Sequence, residues 1–379
     1  MNDGTLDLAK GLVACRSLTP NDAGALDLIA SRLTAAGFVC ERVDRGAVRN
    51  LWARHGRTNP VVCLAGHVDV VPPGPIDRWT SDPFVPTERD GYLYGRGVAD
   101  MKAGVAALVT AAERFVAAHP NHRGSIAVLL TSDEEGDAVD GTVAVVDALR
   151  ARGERFEACI IGEPTSTARL GDAMRHGRRG SLHGVLTVKG MQAHVAYPEH
   201  GRNPIHMAMP ALAELAATEW DQGDESFAPT SFQVSNVHAG TGANNVIPGT
   251  MEVVFNLRFP PIATAEALRA RVHEILDRHR VDYDLAWTLG SLPFISRRGR
   301  LLEVMTTAVT AVTGVTPALS TGGGTSDGRF LIDISDELVE FGPVNASIHA
   351  IDERVRVADV APLSAVYEQA ITALLTRRE

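Results

Sequence analysis

A histidine and an aspartate stand where an apolar segment of this chain ends. His67 and Asp69 come directly after the β-branched run Val61–Gly66. Because side chains two residues apart on a strand share a face, this imidazole and this carboxylate are expected side by side. A metal-ligating histidine needs such a carboxylate to set its tautomer. Taken alone, however, the pair is more typical of a turn or a structural hydrogen bond.

Other potential metal ligands also follow apolar, strand-like segments. These ligands are Glu134 and Glu135 after residues 125–131, Glu163 after residues 158–161, and His349 after residues 338–341. Asp100 comes directly before a helical pattern, either as a ligand that the helix N-terminus stabilises or as an ordinary N-cap. Ligands of parallel sheets gather beyond the carboxyl ends of the strands. The recurrence therefore predicts a metal site built from histidines and carboxylates.

Two histidines and three carboxylates are enough for two metal ions if one carboxylate bridges. Asp100 is the best candidate for the bridge, because both of its oxygens can ligate. Each ion would keep an open position, as catalytic zinc does, and zinc lowers the pKa of water and polarises a carbonyl. Adjacent Glu134 and Glu135 cannot face the same point from an extended backbone. One of them is therefore predicted to bind metal and the other to act as general base.

Strands that alternate with helices must position these residues. The pattern predicts an α/β fold with a mostly parallel sheet and helices on both faces. Residues 180–292 follow a different order, β-α-β-β-α-β, which is typical of the ferredoxin-like motif. This segment lies between Glu163 and His349. The sequence therefore predicts a discontinuous metal-binding catalytic domain, residues 1–179 and 293–379, with residues 180–292 as an inserted domain.

The composition narrows the possible partners. The 379-residue chain carries a net charge of −10, which argues against a nucleic-acid partner because phosphate backbones need a basic face. Its four cysteines are scattered without a Cys-x-x-Cys pair, which predicts reduced thiols. There is no leader-like N-terminus and no apolar run of bilayer length. These features predict a cytoplasmic protein with no membrane partner.

Eight segments match the motifs of a known family. They are Gly66–Val70, Tyr94–Lys102, Thr131–Glu135, Gly162–Pro164, Gly177–Ser181, His194–Pro198, Gly240–Pro248 and Gly322–Phe330. Together with the approach to His349, they resemble the dinuclear-zinc aminoacylase and carboxypeptidase family. The first four are family-wide, and the later ones resemble a branch that removes a succinyl group. The resemblance implies a homodimeric di-zinc amidohydrolase, in which cobalt can substitute, that cleaves N-succinyl-LL-2,6-diaminopimelate in lysine biosynthesis.

The resemblance also implies a role for each candidate ligand. The ligands are shared between two zinc ions, with His67 and Glu163 on one, Glu135 and His349 on the other, and Asp100 on both. Glu134 is implied as the general base, and Asp69 as the residue that orients His67. Three positions depart from the family pattern, which has Gly, Lys and Asn where this chain has Ala193, Ala350 and Asp352.

A further set of residues is implied in substrate binding. The set comprises Arg178, Ser181, Tyr197, Asn244, Arg258, Gly324, Thr325 and Asn345. The chemistry of Arg178 and Arg258 suits carboxylates, since a guanidinium donates two parallel hydrogen bonds, although a surface or structural role is as plausible for each alone. The Gly322–Thr325 segment could form an anion-binding nest or a tight turn. His194 has no metal-ligand spacing. The resemblance implies that it stabilises the oxyanion in the partner subunit of a homodimer formed through residues 180–292.

Other functions remain open at this point. The same ligands would serve a deacylase of another N-acyl amino acid, such as acetylornithine. A diacid acyl group is favoured by Arg178 with Ser181, by the Asn244-Asn245 loop and by the Gly322–Thr325 segment. A non-catalytic amino-acid-binding relative would lack the general base, yet Glu134 is present. A two-metal phosphatase or nuclease would need a basic strip, which this sequence lacks.

Overall fold

The structure, a computed structural model, describes residues 4–376. These residues form two compact units. The first runs to Gly177 and also includes Ile295–Ser320 and the chain from Ser326 onward, whereas the second comprises Arg178–Phe294 and Thr321–Thr325. Between residues 4 and 376, none of the helices has the length and apolarity that a membrane crossing requires.

Nineteen strands and nine α-helices are found in the described part of the chain. In chain order the strands are β1 (Val39–Arg42), β2 (Asn50–His55), β3 (Val61–His67), β4 (Thr87–Arg89), β5 (Tyr92–Tyr94), β6 (Ser125–Thr131), β7 (Ala158–Ile161), β8 (Ala173–Arg175), β9 (Gly177–Arg178), β10 (Gly180–Lys189), β11 (Ala193–His194), β12 (Ser231–Ala239), β13 (Val246–Ile247), β14 (Thr250–Phe259), β15 (Tyr283–Ser291), β16 (Phe294–Ile295), β17 (Ala318–Ser320), β18 (Leu338–Glu340) and β19 (Arg354–Arg356). The helices are α1 (Thr5–Ala14), α2 (Ala25–Ala35), α3 (Ala103–Ala118), α4 (Thr142–Ala151), α5 (Pro204–Ala217), α6 (Ala265–Arg278), α7 (Arg300–Thr313), α8 (Gly328–Leu331) and α9 (Val357–Leu375).

The first unit is built on an eight-stranded sheet with the order β1-β2-β6-β3-β7-β18-β8-β17. Strand β3 runs parallel to β6 and β7, β18 runs parallel to β7, and β17 runs parallel to β8. The other three pairings are antiparallel. The predicted α/β fold with a mostly parallel sheet is therefore confirmed.

Helices cover this sheet because its central strands have no polar face. Every residue of β3, β6, β7 and β18 is buried. Strands that are buried on both faces need an apolar layer on each side. Helices α1, α3, α7 and α9 supply apolar side chains to one continuous core with these strands.

The second unit is a four-stranded antiparallel sheet with the order β12-β14-β10-β15. Its elements follow the predicted order β10-α5-β12-β14-α6-β15. Side-chain caps begin both helices, since Asn203 accepts the N–H of Ile205 and Thr264 accepts the N–H of Ala267. Residues alternate between buried and less buried along β14, so one face of the sheet packs on the helices.

One short segment falls outside the predicted domain limits. Thr321–Thr325 was expected in the catalytic domain, but it belongs to the second compact unit. There the Thr321 hydroxyl donates to the carbonyl of Ser226 at 2.6 Å, and Arg178 Nη1 donates to the carbonyl of Gly324 at 2.9 Å. The assignment of catalytic and inserted roles to the two units remains a prediction.

Candidate metal centre

The candidate ligands lie at one edge of the sheet, where the parallel strands β3, β6, β7 and β18 end. Strand β3 ends on His67, which lies opposite Thr131, the last residue of β6. Glu163 follows the end of β7, and the segment after β18 leads to His349. The ligands converge because parallel strands share the direction in which they end.

The first group of ligands surrounds His67, which is buried. Its Nε2 atom lies 3.2 Å from Oδ1 of Asp100, 3.9 Å from Oε1 of Glu163 and 4.0 Å from Oε2 of Glu134. Its Nδ1 atom lies 3.0 Å from the backbone carbonyl of Asp69. Since a carbonyl only accepts hydrogen bonds, Nδ1 carries a proton, and Nε2 is the ring nitrogen that faces the carboxylates and could ligate a metal ion.

The second group surrounds His349. Its Nε2 atom lies 3.0 Å from Oε1 of Glu135 and 3.6 Å from Oδ2 of Asp100. The two oxygens of Asp100 thus face two different histidines. The adjacent glutamates Glu134 and Glu135 also approach different histidines, although they lie in a turn and not on the extended backbone that the prediction assumed.

These donors fit divalent metal ions of the zinc type. Ligand atoms of His67, Asp100 and Glu135 all lie within 4.8 Å of one another. Two ligand atoms bound to the same tetrahedral zinc ion lie ~3.3 Å apart. The shortest nitrogen–oxygen distances around the two histidines, 3.2 Å at His67 and 3.0 Å at His349, are close to this value. Nitrogen and carboxylate oxygen are donors that zinc prefers, and a carboxylate facing both groups suits a bridge.

Asp100 lies in an irregular turn and not at the N-cap of α3. Residues Val98–Lys102 form a kinked helical turn in which Asp100 has φ −124° and ψ 93°, and α3 begins only at Ala103. The buried carboxylate of Glu353 accepts the N–H groups of Gly97, Ala99 and Asp100 at 2.8–3.1 Å. The sequence analysis missed Glu353. The sequence shows only a single acidic residue four positions after His349, which does not by itself indicate a role.

Asp69 lies beside His67, and its closest contact with the ring comes from its backbone. Its carboxylate was expected to orient His67, but the nearer partner of Nδ1 is the Asp69 backbone carbonyl, and Oδ1 is 3.6 Å away. The carboxylate instead accepts the N–H groups of Glu134 at 3.3 Å and Glu135 at 3.1 Å. Asp69 therefore holds both the ligand histidine and the two-glutamate turn.

Burial and the neighbouring charges shift the pKa values of two residues in this cluster. Burial raises the pKa of Glu134 well above its usual value, and the neighbouring carboxylates of Glu163 and Asp327 raise it further. Burial alone would lower the pKa of His67, but the hydrogen bond to Asp100 and the nearby carboxylates raise it well above the usual value. Without a cation, the cluster therefore favours proton uptake.

The His349 segment contains two residues in the left-handed region. His349 has φ 59° and Asp352 has φ 57°. Thr80 donates to Asp352 through its N–H at 2.9 Å and through its hydroxyl at 2.5 Å. Asp352, one of the three departures from the expected pattern, can accept both bonds through its two carboxylate oxygens. The N–H of Ala350 donates to the Ser347 carbonyl, a bond that any residue but Pro would make.

Most of the predicted substrate residues lie in the second unit. Ser181 and Arg258 are opposite each other on β10 and β14. Burial, together with the charges of Arg179 and Arg178, lowers the pKa of Arg258. Nη1 of Arg258 and Nε of Arg179 are buried and donate no hydrogen bond within residues 4–376. The sequence analysis missed Arg179, although it adjoins Arg178.

The remaining predicted substrate residues are more dispersed. Tyr197 and Asn244 are exposed, and Thr325 is half-buried next to Gly324 in the second unit. Asn345 belongs to the first unit, where its N–H donates to the Ser166 carbonyl at 2.9 Å.

His194 is exposed on the short strand β11, where it lies opposite Val246 of β13. Its Nδ1 atom accepts the N–H of Ala196 at 3.0 Å. The neutral ring must therefore carry its proton on Nε2. This leaves an outward-facing N–H donor.

An α/β fold with histidines and carboxylates gathered at one edge of its sheet is typical of a metal-dependent hydrolase. The chain belongs to peptidase family M20/M25/M40, whose model matches residues 63–373. It is 62% identical over 372 residues to a protein of Azoarcus sp. (strain BH72) named succinyl-diaminopimelate desuccinylase, and the match covers 98% of each chain. The family resemblance and the hydrolytic class that the motifs predicted are thereby confirmed.

Solved structures share the fold at low sequence identity. An M20 family metallo-carboxypeptidase from Sulfolobus solfataricus has a TM-score of 0.80 and 14% identity, with 97% of this chain and 98% of that one covered. The Bacillus subtilis YXEP protein, described as a dinuclear metal-binding peptidase of the M20 family, has a TM-score of 0.70 and 16% identity, with 98% and 97% covered.

Proposed function

We propose that this chain is a di-zinc amidohydrolase that cleaves N-succinyl-LL-2,6-diaminopimelate to succinate and LL-2,6-diaminopimelate. The observation that carries the proposal is the centre itself, in which the two oxygens of Asp100 face His67 and His349. The name of the relative from Azoarcus supports the succinylated substrate. A cytoplasmic location and a step in lysine biosynthesis belong to the same proposal.

The side chains of the centre would hold two Zn²⁺ ions per subunit, for which Co²⁺ could substitute. His67 and Glu163 would hold one ion, Glu135 and His349 the other, and Asp100 both. When bound, the ions would lower the pKa of water and polarise the amide carbonyl. The proximity of each group of ligands supports this division.

Glu134 would move the proton of the reaction. Its Oε2 atom lies 4.0 Å from Nε2 of His67. As general base it would take a proton from water, and as general acid it would give that proton to the leaving amine. Asp69 would keep Glu134 in place through the N–H of that residue.

Arginines of the second unit would bind the carboxylates of the substrate. Arg178, Arg179 and Arg258 lie close enough for their charges to act on one another. Each guanidinium can donate two parallel hydrogen bonds to a carboxylate, which suits a diacid acyl group. The other polar contacts, carried over by resemblance, would come from Ser181, Tyr197, Asn244, Gly324, Thr325 and Asn345.

A homodimer through residues 180–292 is part of the proposal. Strand β12 is an edge of the four-stranded sheet, and its side chains are exposed from Gln233 onward. Val237 is 53% exposed on this strand. An exposed edge strand is a surface that a second copy can cover. His194, exposed with its Nε2–H outward, would stabilise the oxyanion in the partner's site.

The substrate is tested by assaying the zinc-loaded enzyme against N-succinyl-LL-2,6-diaminopimelate and acetylornithine side by side. The proposal expects the succinylated substrate to be preferred. Arg258→Lys should reduce that preference, mainly through KM, since Lys lacks the planar fork. Arg271→Lys, on α6, is the matched control and should leave it unchanged. A parental enzyme that prefers acetylornithine would support the other deacylase, and one that hydrolyses neither substrate would support a non-catalytic binding protein.

A further inference from the structure

Glu353 and Arg96 form a buried ion pair in the first unit. Glu353 is 0% exposed and Arg96 is 2% exposed, and Nη1 of the arginine lies 2.7 Å from Oε2 of the glutamate. Removing two charges from water is costly, so a buried pair is weak evidence of a contribution to stability. Its role is better inferred from what the two side chains hold.

The Glu353 carboxylate holds the turn that carries Asp100. Oε2 accepts the N–H of Gly97 at 2.8 Å, and Oε1 accepts the N–H groups of Ala99 at 2.9 Å and Asp100 at 3.1 Å. The backbone of this turn is not helical at Asp100, and within it the N–H of Lys102 donates to the Gly97 carbonyl at 2.8 Å. Glu353 supplies the acceptors that the turn would otherwise lack.

The same ion pair reaches the segment that carries His349. Glu353 follows His349 by four residues and adjoins β19, which pairs with β5 just before the Asp100 turn. The carbonyl of Glu353 accepts the N–H of Gly95 at 3.0 Å. Nη2 of Arg96 lies 3.5 Å from the carbonyl of His349. Two ligand-bearing segments, far apart in sequence, are thus joined through one carboxylate and one guanidinium.

We propose that Glu353 is a positioning residue of the metal centre, which holds Asp100 and His349 at the separation that lets them share an ion. This inference rests on the proposed function. Glu353 binds no ion itself, because its two oxygens are occupied by the backbone and by Arg96. Residues that orient metal ligands typically contribute about 10–100-fold to metal affinity.

A second buried glutamate of the first unit provides a matched control. Glu337 is 6% exposed, lies 3.3 Å from Nη2 of Arg297 and accepts the N–H of Leu301 at 2.6 Å. It therefore combines an arginine partner with a backbone donor, as Glu353 does. However, it precedes β18, at the end of the strand opposite to the metal centre.

The test compares Glu353→Gln with Glu337→Gln. The glutamine NH₂ group would point at N–H donors in place of an acceptor oxygen, so the Asp100 turn should shift. Zinc affinity is measured by competition with a chromophoric chelator, the cobalt-loaded proteins are compared by visible absorption, and stability is measured by thermal unfolding. Glu353→Gln should lose at least about tenfold in affinity for one ion and change the cobalt spectrum. Glu337→Gln should lose stability with affinity and spectrum unchanged.

Several outcomes would overturn the inference. Unchanged zinc affinity in Glu353→Gln would do so, as would an equal loss in Glu337→Gln, which would indicate a general effect of stability. Glu353→Asp keeps the charge and should recover part of the affinity, and no recovery would also count against the proposal. If Glu353→Gln does not fold, Arg96→Gln takes its place, with a smaller loss expected and an unchanged affinity contradicting the idea.

Failure of the proposed function would be distinguishable. A parental chain that binds two ions but does not hydrolyse the succinylated substrate removes the proposed substrate and leaves the role of Glu353 intact. A parental chain that binds no metal overturns both.

Discussion

Two neighbouring glutamates approach different histidines, which leads to opposite mutant phenotypes. Glu135→Ala removes the carboxylate 3.0 Å from Nε2 of His349, so we expect loss of bound metal. Glu134→Ala should keep the metal and lose activity by ~10²–10⁴-fold, the usual contribution of a general base. Atomic spectroscopy of metal content and a steady-state assay check both variants. Loss of metal from Glu134→Ala would make Glu134 a ligand and remove the proposed proton transfer.

A buried histidine outside the centre should make stability depend on pH. His176 is 2% exposed, and both of its ring nitrogens are buried. Burial, aided by the charge of Arg298, lowers its pKa from 6.5. As pH falls below about 6.5, the unfolded chain takes up a proton that the folded chain resists, so stability falls.

Denaturant unfolding between pH 5 and pH 8 checks this expectation. His176→Gln should flatten the slope of unfolding free energy against pH by at most about 1.4 kcal/mol per pH unit, the value for one proton. The exposed His206 is the control, since His206→Gln should leave the slope unchanged. An equal slope in the parent and in His176→Gln would mean that His176 titrates alike in both states.

At the level of elements, three glycines, Gly104, Gly162 and Gly342, allow close backbone contact. They let α3 and the segment after β18 lie against the segment that carries Glu163. A Cβ atom on Gly104 would lie 2.1 Å from the carbonyl oxygen of Gly162, and one on Gly342 would lie 2.4 Å from that of Glu163. Both obstacles are backbone atoms, so any added methyl group must displace the chain. The ligand Glu163 would move with it.

Gly104→Ala should therefore reduce both stability and metal content. Overpacking typically costs about 1–3 kcal/mol, and the displaced segment carries a ligand. Gly11→Ala in α1 is the control, because its Cβ would meet only the tip of Leu28 at 3.3 Å. That change should be neutral or stabilising, by up to about 1 kcal/mol from helix propensity. Urea unfolding and metal analysis of both variants check the contrast, and full metal content in Gly104→Ala would contradict it.

The elements that the sequence predicted well are those with a local pattern. Strands β6 and β7 have the expected bounds, because their apolar runs end sharply. The kinked turn at Asp100 was read as a helix start, because the carboxylate that shapes it is 253 residues further along the chain. The role of Glu353 could not be predicted for the same reason, because it contacts a turn that is far from it in the sequence. Strands as short as β8 and β17 carry too few residues to show a period.

For the whole molecule, the proposed exchange of His194 between subunits predicts complementation. Glu134→Ala and His194→Ala should each be nearly inactive alone. In a mixed dimer, the subunit that keeps Glu134 receives an intact His194 from its partner, whereas the other site lacks both. Random 1:1 mixing makes about half of the dimers mixed, so about a quarter of parental activity should return.

The two variants are unfolded and refolded together, and mass spectrometry of tagged chains shows whether mixed dimers have formed. Mixing Glu134→Ala with Glu135→Ala provides a control, since both changes fall in the first unit. Proven mixing without recovered activity would mean that His194 acts within its own chain or has no role.

The position of β18 in the sheet has a consequence for the newly made chain. This strand lies between β7 and β8, yet it is translated after the whole second unit. Until it leaves the ribosome, one edge of β7 is unpaired, and β8 and β17 lack their connection to the rest of the sheet. An unpaired, apolar edge is where chains associate wrongly. An interrupted translation product that ends before residue 338 would therefore have an open sheet as well as no His349, so it would be a substrate for chaperones and proteases and not a partly active enzyme.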